Sequence, residues 1–406
     1  MHMLALQRDL FAKKSASIVD ELQAFECGGN PTIIESRNGV NFFFNEFWTA
    51  RQRQANRIHE VSYRACFKPQ LPEFFISRLT EPGDTVYDPF MGRGTTPIQA
   101  ALMDRVAIGN DINPLSTILT APRLKPPSLR RVAERLREID WEYADDIDTK
   151  LLVFYHEKTL RQIHALRAWF ELREASRSLD SVDGWIRMVA VNRLTGHSSG
   201  FFSVYTLPPN QAVSVDAQKK INLKRSQTPP ERDVPAIILK KSRVLLSEAP
   251  PMRQATHSLF AGGADSTPDI PSESVNLVVT SPPFLDVVQY AADNWLRCWF
   301  VGLEAKKVPI AMYRDPSNWM AFICRVFSEL ARVVRRGGHV AFEVGEVRNG
   351  TIELERLVLE AARGLPFEAL GVLVNVQEFT KTANCWGVNN NSKGTNTNRV
   401  VIMRRI

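Results

Sequence analysis

Short apolar runs and helix-spaced apolar positions alternate in two separate parts of this chain. Thr85–Phe90 predicts a strand, the following residues predict a helix to about Met103, and Val106–Ile112 predicts a second strand. Strand, helix and strand within about 30 residues are typical of a βαβ unit in a parallel sheet. The pattern resumes at Val275–Thr280, a nearly continuous apolar run expected of a strand buried on both faces. We therefore predict one α/β sheet built from both parts.

The C-terminal part continues the α/β pattern. Trp319–Val334 has helical periodicity and is predicted to stop at Gly337-Gly338, because paired glycines favour a helix end. Val372–Phe379 and Arg399–Met403 predict a pair of strands joined by an asparagine-rich connection.

The middle of the chain, residues 121–255, has a different pattern. Ser128 is a suitable cap for a helix that runs towards Trp141, and Glu157–Ala175 predicts a second helix. Between Lys219 and Arg243, eight basic residues face two acids and three prolines interrupt the stretch. We interpret this stretch as a basic loop or extended arm that follows phosphates, or equally as a solvated surface loop.

Residues 1–66 predict an N-terminal extension with an aromatic middle, Asn41–Trp48. Basic and amide residues follow at 51–57. Aromatic rings beside arginine and glutamine suit nucleic-acid contact, but packing of the rings onto the main domain is an equal alternative.

Composition places the chain among ordinary globular proteins, with 406 residues, 44% hydrophobic and 23% charged. It has no apolar run long enough for a transmembrane helix. Its five cysteines are scattered without a Cys-x-x-Cys pair, which favours reduced thiols, a cytoplasmic location and no metal site. The net charge of +7 weakly favours a polyanionic partner.

A glycine loop, Asp88–Thr96 (Asp-Pro-Phe-Met-Gly-Arg-Gly-Thr-Thr), follows the first predicted strand. Gly92 and Gly94 allow a ligand to approach the main chain closely. Pro97 replaces the third glycine of the dinucleotide fingerprint, and no Gly-Lys-Ser/Thr follows, which weakens NAD and ATP and leaves S-adenosylmethionine. Asp111, at the end of the next strand, can accept hydrogen bonds from ribose hydroxyls. A structural turn and a helix-capping aspartate are the alternatives.

A second motif, Thr280–Phe284 (Thr-Ser-Pro-Pro-Phe), ends the predicted strand at 275–280. Two prolines fix the backbone, so the Ser281 hydroxyl and the Pro282 carbonyl are available as acceptors. Two acceptors can orient the exocyclic amine of a base, and Phe284 can stack on a base flipped out of a duplex. A generic Ser-Pro-Pro turn is the alternative.

These two motifs carry a resemblance to the S-adenosylmethionine-dependent amino-methyltransferases of DNA. Asp88–Thr96 is similar to the family's cofactor motif and Thr280–Phe284 to its catalytic motif. The resemblance implies a Rossmann-like class I methyltransferase sheet with an inserted, partly helical recognition region. It divides the chain into an extension (1–66), a cofactor half (67–120), an inserted target-recognition region (121–255) and a catalytic half (256–406).

The resemblance also implies site residues. Those expected at the cofactor are Phe67, Asp88, Pro89, Phe90, Gly92, Gly94, Thr95, Asp111 and Asp265. Those expected at the base are Ser281, Pro282, Pro283 and Phe284. Phe67 belongs to a segment similar to the one that covers the cofactor's methionine end, and Asp265 to a turn that resembles the family's adenine-contacting turn.

Ser281 implies cytosine N4 as the target, since members with aspartate or asparagine at this position mostly modify adenine N6. The cofactor motif comes first here, whereas in many members with Ser-Pro-Pro the catalytic half precedes it. The implied partners are double-stranded DNA and a cognate restriction endonuclease, with no membrane and no metal. Adenine-N6 methylation, RNA base methylation and a non-catalytic DNA-binding role are the alternatives.

Overall fold

A nine-stranded sheet runs through the protein in the computed structural model. The structure describes residues 17–48, 55–64, 66–142, 146–206, 212–248, 256–285, 289–345, 347, 351–376 and 397–406. The strands are β1 (Glu26–Cys27), β2 (Asn30–Pro31), β3 (Ile33–Arg37), β4 (Val40–Asn45), β5 (Thr85–Asp88), β6 (Val106–Asp111), β7 (His257–Ala261), β8 (Val275–Thr280), β9 (Val334–Val344), β10 (Phe367–Val376) and β11 (Thr397–Arg405). Strands β1 and β2 form a separate antiparallel pair.

The helices flank this sheet and fill the inserted region. They are α1 (Ile18–Gln23), α2 (Gln70–Leu79), α3 (Thr95–Leu102), α4 (Pro114–Leu124), α5 (Leu129–Glu138), α6 (Glu157–Ala175), α7 (Ser181–Val191), α8 (Val215–Lys224), α9 (Val234–Leu246), α10 (Tyr290–Phe300), α11 (Pro316–Val333) and α12 (Leu354–Ala361). Short 3₁₀ turns occupy Arg57–His59, Thr149–Val153 and Ala305–Lys307.

The strand order across the large sheet is β3-β4-β10-β11-β9-β8-β5-β6-β7. From β7 to β9 the neighbouring strands are parallel, in the 3-2-1-4-5 order of a doubly wound sheet, and β11 is antiparallel to both β9 and β10. The predicted Rossmann-like α/β fold is confirmed. The order reverses between β5 and β8, so a crevice is expected outside the carboxyl ends of these two strands. Both sequence motifs begin there.

The aromatic part of the N-terminal region packs onto the sheet. Strand β4 pairs in parallel with β10, and Phe43, Phe47 and Trp48 are buried in the main apolar core. Trp48 and the side chain of Asn375 exchange two hydrogen bonds of 3.2 Å. Packing is therefore the alternative that the structure shows for these rings, while the basic residues at 51–54 lie outside the described residues. The division of the chain into four regions stays a prediction.

The basic stretch from Lys219 to Arg243 is not a loop or an extended arm, so that prediction was wrong. It forms the end of α8, a connection with two prolines, and most of α9. The cause is local capping. Ser214 accepts a hydrogen bond from the amide of Ala217, and Asp233 accepts one from the amide of Ala236. Pro235 lies in the first turn of α9, where a proline is tolerated.

Other boundaries in the C-terminal half differ by a few residues. Helix α11 ends at Val333 and β9 begins at Val334, so Gly337-Gly338 lies within a strand and does not end the helix. A side chain at Gly338 would come within 2.9 Å of the Asn276 carbonyl oxygen, since the two strands approach closely here. The strand pair β10–β11 is confirmed as antiparallel. Residues 377–379 and the asparagine-rich connection lie outside the described residues.

The predicted helices in the middle region are confirmed, with Ser128 capping α5 and α6 spanning Glu157–Ala175. Their apolar side chains join the core cluster that also packs against one face of the sheet. Across the described ranges, no helix is both long enough and apolar enough to span a bilayer.

Candidate functional site

One cavity of about 260 Å³ lies at the carboxyl ends of β5, β6 and β8, and both sequence motifs line it. Ten of the predicted site residues line this cavity: Phe67, Asp88, Pro89, Phe90, Gly92, Thr95, Asp111, Asp265, Ser281 and Pro283. Gly94, Pro282 and Phe284 are not among the lining residues. The two motifs, far apart in sequence, therefore share one concave site.

The two glycines of the loop have different surroundings. Both have a positive φ, +50° at Gly92 and +76° at Gly94, which favours glycine. Gly92 lines the cavity, whereas a side chain at Gly94 would lie 2.3 Å from the Thr120 hydroxyl on α4. Gly94 thus allows α3 and α4 to pack closely, which is a structural role that the motif alone did not reveal.

Asp111, at the end of β6, connects the glycine loop to the cavity wall. Its Oδ2 accepts a hydrogen bond of 2.8 Å from the Gly92 amide, and its Oδ1 accepts one of 2.8 Å from the Asn113 amide. Burial raises the pKa of this carboxyl above its usual range, opposed by these two amides and the Ser116 hydroxyl. The carboxylate is therefore held in a fixed orientation at the edge of the cavity.

Asp88, at the end of β5, connects the two motifs. Its Oδ1 accepts a hydrogen bond of 2.6 Å from the Thr280 hydroxyl and one of 3.1 Å from the Phe90 amide. Burial raises the pKa of Asp88 to about 7. Beside it, the Thr96 hydroxyl donates to the carbonyl oxygen of Val279 across 3.0 Å. These contacts fix the relative position of the glycine loop and the Ser-Pro-Pro turn.

Glu343, near the end of β9, is a buried carboxylate that the sequence analysis did not single out. It is hydrogen-bonded by the Ser281 side chain, and its Oε1 accepts 2.9 Å from the Asn398 amide group on β11. Burial raises its pKa. A lone acid within the apolar run of β9 was the available sequence signal, because charged residues are almost never buried without partners.

Trp319 on α11 holds the proline turn from the other side. Its indole N–H donates to the Pro283 carbonyl oxygen across 2.8 Å, and its side chain is fully buried. Phe284 is half-buried and packs against the apolar cluster between α11 and the sheet. The Ser-Pro-Pro turn is thus constrained at Ser281 and at Pro283.

Residues from the connection before α11 cover one end of the cavity. Pro309, Ile310, Ala311 and Tyr313 line it, and the Tyr313 ring lies 5.6 Å from that of Phe322. Arg325 on α11 forms an ion pair of 3.1 Å with Asp265, the residue of the predicted adenine-contacting turn. The sequence analysis missed Arg325, since only the packing of α11 brings it to this turn.

The segment before α2 is attached to the glycine loop by Arg93. Its guanidinium donates to the carbonyl oxygens of Val61 (2.9 Å) and Phe67 (3.1 Å). Arg123, fully buried on α4, in turn donates to the carbonyls of Arg93 and Ile58. Phe67 therefore reaches the cavity through contacts of the residue between the two glycines. No cluster of acidic, histidine or cysteine side chains suited to a metal ion occurs among the described residues.

Residues 19–116 match the family model N6_N4_Mtase, described as DNA methylase. Curated relatives include the type II methyltransferase M.MjaII of Methanocaldococcus jannaschii, with 31% identity over 27% of this chain and 22% of that protein. The resemblance to the DNA amino-methyltransferases is confirmed. A second such relative is M.BsoBI of Geobacillus stearothermophilus, with 22% identity over 65% of this chain and 57% of that protein. This chain thus spans less than two thirds of the length of each of these DNA methylases.

Among solved structures, TrmN from Thermus thermophilus is similar over 86% of this chain and 52% of that chain. The sequence identity is 10% and the TM-score 0.33.

Proposed function

We propose that this protein transfers a methyl group from S-adenosylmethionine to the exocyclic amine of a base flipped out of duplex DNA, and that the base is cytosine, methylated at N4. One observation carries the proposal. Asp111 with the glycine loop and Ser281 with the proline turn line the same cavity. A cofactor subsite and an amine subsite in one cavity are what direct methyl transfer requires.

The cavity suits S-adenosylmethionine because its lining combines fixed polar groups with aromatic surface. Asp111 offers acceptors for the two ribose hydroxyls, and Gly92 leaves the main chain open beside it. Phe90 and Phe322, with ring centroids 6.0 Å apart, supply apolar surface near the turn that carries Asp265. When bound, S-adenosylmethionine supplies an electrophilic methyl group. The resemblance to the DNA methylases also supports this cofactor.

Ser281 suits an amine because its hydroxyl proton is engaged. The hydroxyl donates to Glu343, a buried carboxylate that only accepts when ionised, so the serine oxygen keeps lone pairs for an amine proton. An exocyclic amine held in this way presents its nitrogen in a defined direction. Positioning of this kind supplies much of the rate when the amine itself is a weak nucleophile.

The test is methylation of duplex DNA by the purified chain with deuterated S-adenosylmethionine, followed by digestion and mass spectrometry of the nucleosides. We expect labelled N4-methylcytosine from duplex DNA and none from RNA. Labelled N6-methyladenine would overturn cytosine, and label confined to RNA would overturn DNA as the substrate. Cofactor binding without label in any nucleic acid would favour a non-catalytic role.

The same proposal includes the setting of the enzyme. A methyltransferase of this kind acts on DNA in the cytoplasm, and a restriction endonuclease of the same recognition sequence is its natural partner. Methylated and unmethylated genomic DNA of a host that expresses this chain would then differ in sensitivity to that endonuclease.

A further inference from the structure

Helix α8 (Val215–Lys224) has one face that carries charge and one that is fixed to the protein. At helical spacing, Lys219, Lys220, Leu223 and Lys224 are all exposed, whereas Gln218 is fully buried. Residues one, four and five positions apart share this outer face because a helix turns every 3.6 residues. The face is therefore a compact patch of three lysines around a leucine.

The inner face of α8 is held by polar contacts. Gln218 donates to the Tyr205 carbonyl oxygen across 3.1 Å, and Asn222 donates to the Val153 carbonyl oxygen across 2.7 Å. The Arg225 guanidinium lies 3.7 Å from the centre of the Tyr205 ring. These contacts fix the rotation of the helix, so the lysines remain directed outward.

The segment just before α8 is attached to the helix that borders the cavity. The Ala212 amide donates to the Asp293 carbonyl oxygen across 3.0 Å, and the Trp295 indole donates to the Val213 carbonyl oxygen across 3.2 Å. Asp293 and Trp295 belong to α10, whose first residue, Tyr290, lines the cavity. The basic patch thus begins close to the mouth of the cavity.

The charge of this patch is almost uncompensated. Within the described part of the chain, Lys220 and Lys224 have no acidic partner, and Lys219 has a weak exposed contact of 3.5 Å with Asp216. An exposed ion pair of this kind contributes little. On α9, by contrast, the half-buried Lys241 is paired with Glu60 at 3.0 Å. The structure therefore restricts the basic stretch of the sequence to α8 as the part available to a partner.

Leu223 at the centre of the patch is 81% exposed, more than the other large apolar side chains of the described residues. A lone exposed leucine needs no explanation by itself. Among three lysines it matches duplex DNA, where phosphates flank apolar sugar and thymine methyl surface.

We propose that the outer face of α8 docks on the duplex that carries the target base. Lys219, Lys220 and Lys224 contact phosphates, and Leu223 contacts sugar or base-edge surface between them. This inference rests on the proposed function, since it names where the DNA of that same site is held.

The test compares two variants that each lose two positive charges. Lys220→Gln/Lys224→Gln removes charge from α8, and Arg335→Gln/Arg336→Gln removes it from exposed residues at the amino end of β9, opposite the cavity. The slope of log affinity for duplex DNA against log salt should decrease by about 0.9 per lost phosphate contact, or about 1.8 for the α8 variant. The β9 variant should keep the wild-type slope.

Leu223→Ser gives an independent readout. Its contact is apolar, so this variant should weaken binding by a similar factor at every salt concentration and keep the wild-type slope. S-adenosylmethionine affinity, measured by calorimetry, should be the same in all three variants, which shows that the fold and the cofactor site are intact.

An α8 variant with the slope of the β9 variant would overturn this proposal, as would an unchanged affinity of Leu223→Ser. So would an α8 effect confined to RNA binding. Normal methylation with an unchanged slope would refute the docking surface alone. A wild-type chain that binds cofactor but neither binds nor methylates DNA would instead refute the proposed function.

Discussion

The Thr280 hydroxyl donates a hydrogen bond of 2.6 Å to the buried carboxyl of Asp88, although 192 residues separate them in the chain. The bond joins the last residue of β8 to the last residue of β5, on either side of the point where the strand order reverses. The inserted helices lie between these strands in sequence without separating them in space. Asp88 is thus a structural link between the two motifs as well as a cavity residue.

The first prediction is that Asp88 makes stability depend on pH. Its pKa of about 7 lies above its ordinary value, so at about pH 5 the carboxyl is protonated in the folded chain and ionised in the unfolded chain. Its contribution to the free energy of unfolding should therefore fall as pH rises, by about 1.4 kcal/mol per pH unit, until it levels off above pH 7. Asp88→Asn keeps an acceptor for Thr280 and should lose this dependence.

Urea unfolding of both proteins at about pH 5 and about pH 8 measures the effect as a difference between them, so other titrating groups cancel. The wild type should lose more stability between the two pH values than Asp88→Asn. Parallel losses would show that Asp88 is ionised when folded.

The second prediction concerns Asp111. Asp111→Ala removes the acceptor at the end of β6 and should weaken S-adenosylmethionine binding by roughly 5- to 150-fold, since a buried hydrogen-bond partner contributes about 1–3 kcal/mol. Asp269→Ala, at an exposed position, is the control and should bind normally. Calorimetry on folded variants decides, and equal affinities would remove Asp111 from the cofactor site.

The third prediction separates Ser281 from Phe284. Ser281→Ala should leave DNA affinity and base flipping nearly unchanged while kcat falls, because only the amine contact is lost. Phe284→Ala should reduce flipping, since stacking on a base contributes roughly 1–3 kcal/mol. A fluorescent base analogue at the target position reports flipping in both variants. Turnover of Ser281→Ala at the wild-type rate would exclude the hydroxyl from catalysis.

The fourth prediction assigns Glu343 a positioning role. A hydrogen bond to an ionised group contributes about 1.5–3 kcal/mol, so Glu343→Gln should lower kcat by roughly 10- to 150-fold and leave cofactor affinity unchanged. Burial raises the pKa of Glu343, so wild-type kcat should fall at acidic pH as this carboxyl takes up a proton. The variant should lack that acidic limb. A retained limb would mean that another group causes it.

Sequence reasoning found the parts of the site that are contiguous in the chain. Both motifs stand at strand ends, where a short pattern of glycines or prolines is visible by itself. Glu343, Trp319 and Arg325 were missed because strand pairing and the packing of α11 bring them to the site, and no local pattern encodes either.

The error at the basic stretch has a different cause. The capping residues Ser214 and Asp233 were legible in the sequence, but charge and prolines were given more weight than caps. Gly94 shows a third limit, since its neighbour Thr120 becomes apparent only when two helices are packed.

The pairing of β4 with β10 has a consequence for synthesis of the protein. The nascent chain presents β4 early, but its partner strand emerges from the ribosome much later, since Trp48 and Asn375 are 327 residues apart. Until then the hairpin β3–β4 has only its own two strands, and an isolated hairpin is marginally stable in water. A premature stop codon before β10 would therefore remove more than the C-terminal residues, because it would also leave the first hairpin without a sheet to join.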